Sequence, residues 1–217
     1  MQSKSFSSRC CNFPAFESVN PARDQPKQTG DDETFLFALE QDGSGGHQGQ
    51  TIMTSPSSEI TIRPARPGDE EDIIRLVTAL AHYEKLEPPN PEAQQRLLRD
   101  ALGPNPRIEI YLGELGGKPS AYAIVLETYS SFLALPTLYL EDLFVMPDSR
   151  GHGLGKAMFL FLLEEAKKRG CGRMEWQVLD WNMLARDFYA RLGAKHMDNW
   201  CNYRVTADQF DEILARR

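Results

Sequence analysis

One stretch constrains this chain more than any other. Tyr139-Leu140-Glu141-Asp142-Leu143-Phe144-Val145 reads as a buried strand, and after Pro147-Asp148-Ser149 it runs into Arg150-Gly151-His152-Gly153-Leu154-Gly155-Lys156, a glycine-rich loop that opens an amphipathic helix. Glycines let the backbone approach a ligand closely. The unpaired N–H groups of a first helical turn, helped by the helix dipole, form an anion site suited to a pyrophosphate. The loop lacks the Gly-Lys-Ser/Thr of a P-loop, and no Gly-x-Gly-x-x-Gly stands ahead of the helix as a dinucleotide site requires. The pattern it does meet is Arg-x-x-Gly-x-Gly, through Arg150, Gly153 and Gly155.

Around this unit the periodicity predicts a short strand at Ile60 and Ile62 and a helix from about Glu70 to Glu84, with Asp69 placed to cap it. Ile73, Leu76, Val77, Leu80 and Ala81 share one face of that helix. A second helix is expected over 91–102. Strands are expected over 108–114, 120–129 and 137–145, with Gly116-Gly117-Lys118-Pro119 as the turn between the first two. Then come a helix over 156–169, a strand over 173–178, a helix over 183–192 and a last strand near Cys201 to Val205. A meander followed by strand-helix-strand-helix-strand implies an α/β (α+β) class: a single mixed, mostly antiparallel central sheet flanked by helices.

Residues 1–58 are rich in Ser, Gly, Gln and Pro and hold no sustained period, so they are expected to form a disordered or non-native extension ahead of an organised domain at 59–217. Phe35-Leu36-Phe37-Ala38-Leu39 is too short to offset the ordering of its neighbours. The first 23 residues carry Lys4, Arg9 and Arg23 against one acid, Glu17, a faint likeness to a transit peptide. The plainer expectation is a biological start at Met53.

The net charge of −7 opposes a general nucleic-acid surface, which relies on Lys and Arg to displace counterions, and suits a cationic partner better. No run approaches the ~20 apolar residues of a membrane-spanning helix, so no membrane partner is expected and the expected location is cytoplasmic. Four cysteines without a CxxC pair and four scattered histidines give no metal-ligand spacing, so no metal is expected.

Residues 59–206 resemble the GCN5-related N-acetyltransferase (GNAT) superfamily, and within it the diamine acetyltransferases, the spermidine/spermine and thialysine group. The matching blocks are Leu80-Ala81-His82-Tyr83-Glu84, Tyr139 to Met146, Arg150 to Gly155, and Asn182 leading to Phe188-Tyr189-Ala190-Arg191-Leu192-Gly193-Ala194. The resemblance implies the GNAT fold, acetyl-CoA as co-substrate and a homodimer. It also implies that Leu143, Phe144 and Val145 hold the acetyl and pantetheine arm and that Arg150, Gly151, His152, Gly153, Leu154, Gly155 and Lys156 hold the pyrophosphate. Asn182 and Ala185 would contact the cofactor from the strand-helix junction, with Tyr189 near the thioester sulfur. Tyr83, Glu84, Glu141, Asp142, Trp176 and Asp198 would line the acceptor site. The stretch from Lys195 to Trp200 is shorter than in the animal polyamine enzymes.

These residue types suit the chemistry. An alkylamine is protonated at neutral pH and must lose a proton before it attacks a thioester, a task for Glu141. A backbone N–H near Leu143 can polarise the carbonyl, and a phenol such as Tyr189 can protonate the departing thiolate. By sequence alone Glu84 also reads as a solvated helix-end acid, and Tyr189 as core. Glu141 and Asp142 interrupt an apolar run where an unpaired buried carboxylate is costly, which favours a functional reading for at least one of them. Trp176, Trp181 and Trp200 read as packing residues, with Trp176 on the strand expected to face the acceptor, and His152 reads as a loop residue rather than a base. The expected activity is acetyl transfer to a primary amine of a small di- or polyamine-like acceptor. Acetylation of a protein N-terminus or lysine, and a non-catalytic acetyl-CoA-binding module, stay open as alternatives.

Overall fold

The computed structural model describes residues 59–217, so the expected tail, its apolar element at 35–39 and the Met53 start lie outside the described residues. The chain forms β1 (Ile60–Pro64), α1 (Glu70–Glu84), α2 (Pro91–Leu102), β2 (Glu109–Leu115), β3 (Lys118–Ser130), β4 (Leu135–Val145), α3 (Leu154–Lys168), β5 (Arg173–Trp176), α4 (Met183–Arg191) and α5 (Phe210–Leu214). The strands form one sheet in the order β1-β2-β3-β4-β5. The first three pairings are antiparallel and β4 with β5 is parallel, joined by the crossover helix α3.

Alternation along the strands sends side chains to two buried faces. Tyr111, Ala121, Ala123, Val125, Leu138 and Leu140 pack under Leu154, Met158, Leu162 and Ala166 of α3. Ile110, Leu112, Tyr122, Ile124 and Phe144 meet Ile73 and Leu76 of α1, with Leu97 and Leu98 of α2 beside them. Gly113 lets α3 lie close, because a Cβ there would come within 2.9 Å of Met158 Sδ and 3.1 Å of Leu154 Cδ1.

Helix starts follow local chemistry. Pro91 occupies the first turn of α2, and Asn90 Oδ1 accepts the Ala93 N–H at 2.9 Å. Asp69 precedes α1 as expected but does not cap it through its side chain. Its carboxylate accepts from both Arg63 Nη atoms at 2.7 and 2.9 Å and from the Arg66 N–H, so it is spent on fastening β1 to the turn. That guanidinium holds the Asp69 carboxyl below the usual range.

Two expectations need correction at the C-terminal side. β5 ends at Trp176 rather than at Val178, and no strand forms at Cys201 to Val205. Those residues carry the right side chains, but pairing needs an adjacent sheet edge. The segment's side-chain hydrogen bond toward the end of β5 is from Gln177 Nε2, which donates to Asn202 Oδ1 at 3.1 Å. A turn at Ala207–Gln209, closed by a Thr206/Gln209 capping box, leads into α5 instead.

Candidate active site

β4 changes character halfway along. Up to Leu140 it is paired on both sides, through Thr137↔Arg173 to Leu140↔Trp176 with β5. Beyond that point β5 stops, and Glu141 to Val145 keep only β3 as a neighbour. The sheet therefore splits into a cleft whose β4 wall presents backbone groups with no strand partner. The register with β3 slips at the same place: Ile124 faces Asp142 and Val125 faces Leu140, so Glu141 is the extra residue of a bulge. A bulge re-aims the side chains around it. Leu140 stays with the α3 face, while Phe144, two residues after Asp142, packs on the α1 face.

Past the cleft the chain reaches the N-terminus of α3. Gly151 and Gly153 hold φ of +82° and +83°, left-handed values that a side chain would strain even though a Cβ at either would meet nothing within 4 Å. Gly153 precedes the helix with no side-chain cap, so the first-turn N–H groups from Leu154 to Lys156 stay available. The Arg150 side chain turns inward instead: Nε donates to the Val145 carbonyl at 3.0 Å, and the guanidinium lies 4.8 Å from the Tyr83 ring centre and 5.7 Å from that of Phe144.

α1 and α4 supply the side walls. Asn182 Oδ1 accepts the Ala185 N–H and the Tyr83 hydroxyl, both at 3.2 Å, so one amide caps α4 and ties it to α1. Tyr189 lies against Trp176 (4.8 Å between ring centres), Phe188 (5.1 Å) and Phe159 (5.5 Å). Its hydroxyl has no hydrogen-bond partner among the described residues, and burial pushes its pKa up to about 12. The phenol thus holds its proton at any working pH.

Together these walls enclose a cavity of about 710 Å³, the size of a small-molecule site. Four carboxylates line it: Glu84 at the end of α1, Glu141 and Asp142 on β4, and Asp180 on the turn after β5. Glu141 is exposed and Asp142 largely buried, so the costly buried acid anticipated in this apolar run is Asp142. Burial pushes Asp142 up to about 6, a hydrogen bond from Tyr122 works against the rise, and the charges of Glu141 and Glu84 add to it. Burial also raises Glu84.

The structure brings nearly all the sequence-predicted residues to this one cavity: Tyr83, Glu84, Glu141, Asp142, Leu143, Phe144, Val145, Arg150, Gly151, Gly153, Leu154, Gly155, Lys156, Trp176, Asn182, Ala185 and Tyr189. Two stay outside its lining. His152 is an exposed loop residue, and Asp198 sits on an exposed turn. Gln177, Leu179, Leu184 and Asn202 line the cavity and escaped the sequence reading. Their place depends on where β5 stops, which no local periodicity encodes.

Comparison with known proteins agrees with this geometry. Residues 75–194 match the Acetyltransferase (GNAT) family. The chain belongs to that family and is an acetyl-CoA-dependent N-acetyltransferase. It is 31% identical to a thialysine N-epsilon-acetyltransferase of Sus scrofa, over 73% of this chain and 99% of the relative. With an L-ornithine N5-acetyltransferase of Arabidopsis thaliana it shares 36% identity over 43% of this chain and 41% of the relative. A solved aminoglycoside N-acetyltransferase in complex with CoA superposes with a TM-score of 0.56 at 20% identity, over 69% of this chain and 97% of that one, a likeness of fold.

Proposed function

We propose that the chain transfers the acetyl group of acetyl-CoA to a primary amine of a small di- or polyamine-like acceptor by direct attack. The observation that carries the acceptor class is the set of four carboxylates, Glu84, Glu141, Asp142 and Asp180, on the wall of one cavity that also carries the rings of Tyr83 and Phe144. Clustered acids and π-faces suit a compact cation. The sequence likeness to thialysine and ornithine acetyltransferases points the same way.

The residues present fit acetyl-CoA. The unpartnered edge of β4 from Glu141 to Val145 suits an extended arm with amide groups, and the uncapped first turn of α3 with its glycine approach suits a pyrophosphate. Acetyl-CoA supplies an activated acyl group. Glu141, exposed to the cavity, takes the proton of the acceptor ammonium directly or through water. The freed lone pair forms the N–C bond as a backbone N–H near Leu143 stabilises the developing oxyanion. The carbonyl then re-forms as the C–S bond breaks, the Tyr189 hydroxyl gives its proton to the departing sulfur, and the second proton of the former ammonium leaves the nitrogen through water and restores the phenol. A phenol with a pKa of about 12 is fully protonated for that role.

The test is release of free CoA thiol with spermidine, putrescine, thialysine, ornithine, lysine and short peptides as acceptors. Turnover on a small diamine is expected. Turnover on peptides alone would move the function to protein acetylation, and no turnover on any amine would leave an acetyl-CoA-binding module.

A homodimer acting in the cytoplasm completes the proposal. No helix among the described residues is long and apolar enough to cross a membrane. Phe132, Trp200, Tyr203 and Phe210 are exposed apolar side chains that a second copy would cover. Light scattering should give twice the chain mass, and a monomer mass would remove this part of the reading.

A further inference from the structure

Behind one of the cavity carboxylates stands a tyrosine with no exposed surface. Tyr122 lies on β3 opposite Phe144, in the core between the sheet and α1. A phenylalanine would fill the same space without a polar atom to satisfy. The hydroxyl has one partner: it donates to Asp142 Oδ2 at 3.0 Å. Asp142 Oδ1 has no protein partner among the described residues and is not among the sealed, unpaired polar atoms, so it remains open to the cavity.

The groups facing Asp142 are unequal in kind. From α1 come Glu84 and Tyr83, from β3 comes Tyr122, and its own strand brings Glu141. The cations on the cavity wall are Arg150, which lies over Tyr83 and Phe144, and Lys156 and Arg191. Asp142 takes part in none of the ion pairs among the described residues. A largely buried carboxylate held by one neutral donor among other acids lacks a cation.

We infer that Tyr122 is a positioning residue of the acceptor site: its hydroxyl fixes one oxygen of Asp142 so that the other is presented to the cavity as the anion that receives an ammonium group of the acceptor. This rests on the amine-acceptor reading above. Burial raises Tyr122 far above the ordinary phenol range, so the donor stays protonated throughout. A donor to the charged form of a carboxyl lowers its pKa. Tyr122 therefore keeps Asp142 ionised lower in pH than burial alone would allow.

The test is Tyr122→Phe, which keeps the ring and removes one oxygen, run with Asp142→Asn and the double variant. Carbon-13 NMR titration of the Asp142 carboxyl, which needs no turnover, should show its midpoint moved up by about one pH unit in Tyr122→Phe. The KM for putrescine should rise about 3- to 10-fold at pH 7 while the KM for acetyl-CoA stays at the wild-type value, an effect of order one broken hydrogen bond to a charge. In the D142N background the same change should leave the KM for putrescine unmoved. An unshifted titration, or an equal rise in KM with and without Asp142, would overturn the inference. Wild-type protein that acetylates no amine would instead overturn the acceptor reading, a result the wild-type assay gives before any variant is made.

Discussion

The two halves of β4 differ in a way that explains how a strand becomes a site. From Leu135 to Leu140 it is a central strand, paired on both sides over its last four residues and carrying fully buried side chains such as Leu138. From Glu141 to Val145 it is paired on one side only, bulged, and lined with carboxylates. The same strand supplies rigidity in its first half and free backbone groups in its second. The switch needs two features: a partner strand of four residues and one extra residue in the register. A site built on a strand so anchored is held more firmly than one on a loop.

Substitutions should separate the halves. Leu138→Ala, in the paired half, is expected to cost about 2–5 kcal/mol of unfolding free energy in denaturant titration with little change in either KM. Glu141→Gln and Tyr189→Phe, at the cleft, should each lower kcat about 10²-fold or more with a near wild-type melting temperature. A cleft variant that unfolds the protein, or a Leu138 variant that abolishes turnover while folded, would erase the distinction.

Asp142→Asn should show the cost of building the second half. The folded chain keeps the Asp142 proton up to about pH 6, where the unfolded chain has already released it. Native stability therefore falls as pH rises from about 4 to about 6 and stays lower above that. The variant lacks this loss, so relative to wild type it should gain about 3 kcal/mol between pH 4 and pH 8, while binding the amine less well. An unchanged difference between the two from pH 4 to pH 8 would show that Asp142 is not a buried charge.

The smallest effect concerns the loop. Gly153→Ala meets no atom within 4 Å but must hold a φ of +83°, so about 1 kcal/mol of strain is expected, with a several-fold rise in the KM for acetyl-CoA. Unchanged stability and KM would mean that the loop reshapes without consequence.

Much of this was legible in residues 60–176, where period and turn chemistry agree with the final packing. The bounds of α1 and α2 follow directly from their apolar spacing and, for α2, from Asn90-Pro91. The strand-loop-helix from Tyr139 to Lys156 already marked the cavity. What escaped depends on contacts distant in sequence. The bulge at Glu141 arises from register against β3, so Leu140 and Phe144, which a regular strand would place on one face, end in different cores. The early end of β5 and the unpaired Cys201 to Val205 are decided by which edge lies within reach. Tyr122 carried no sequence signal because a tyrosine in an apolar strand reads as core.

The most direct test of the central claim, that the half of β4 paired on one side only and the start of α3 bind acetyl-CoA, is amide hydrogen exchange followed along the chain with and without CoA. Protection should appear over 141–145 and 150–156, with residues 135–140 unchanged because their amides are already in the sheet. Protection elsewhere with none over those two segments would contradict the account.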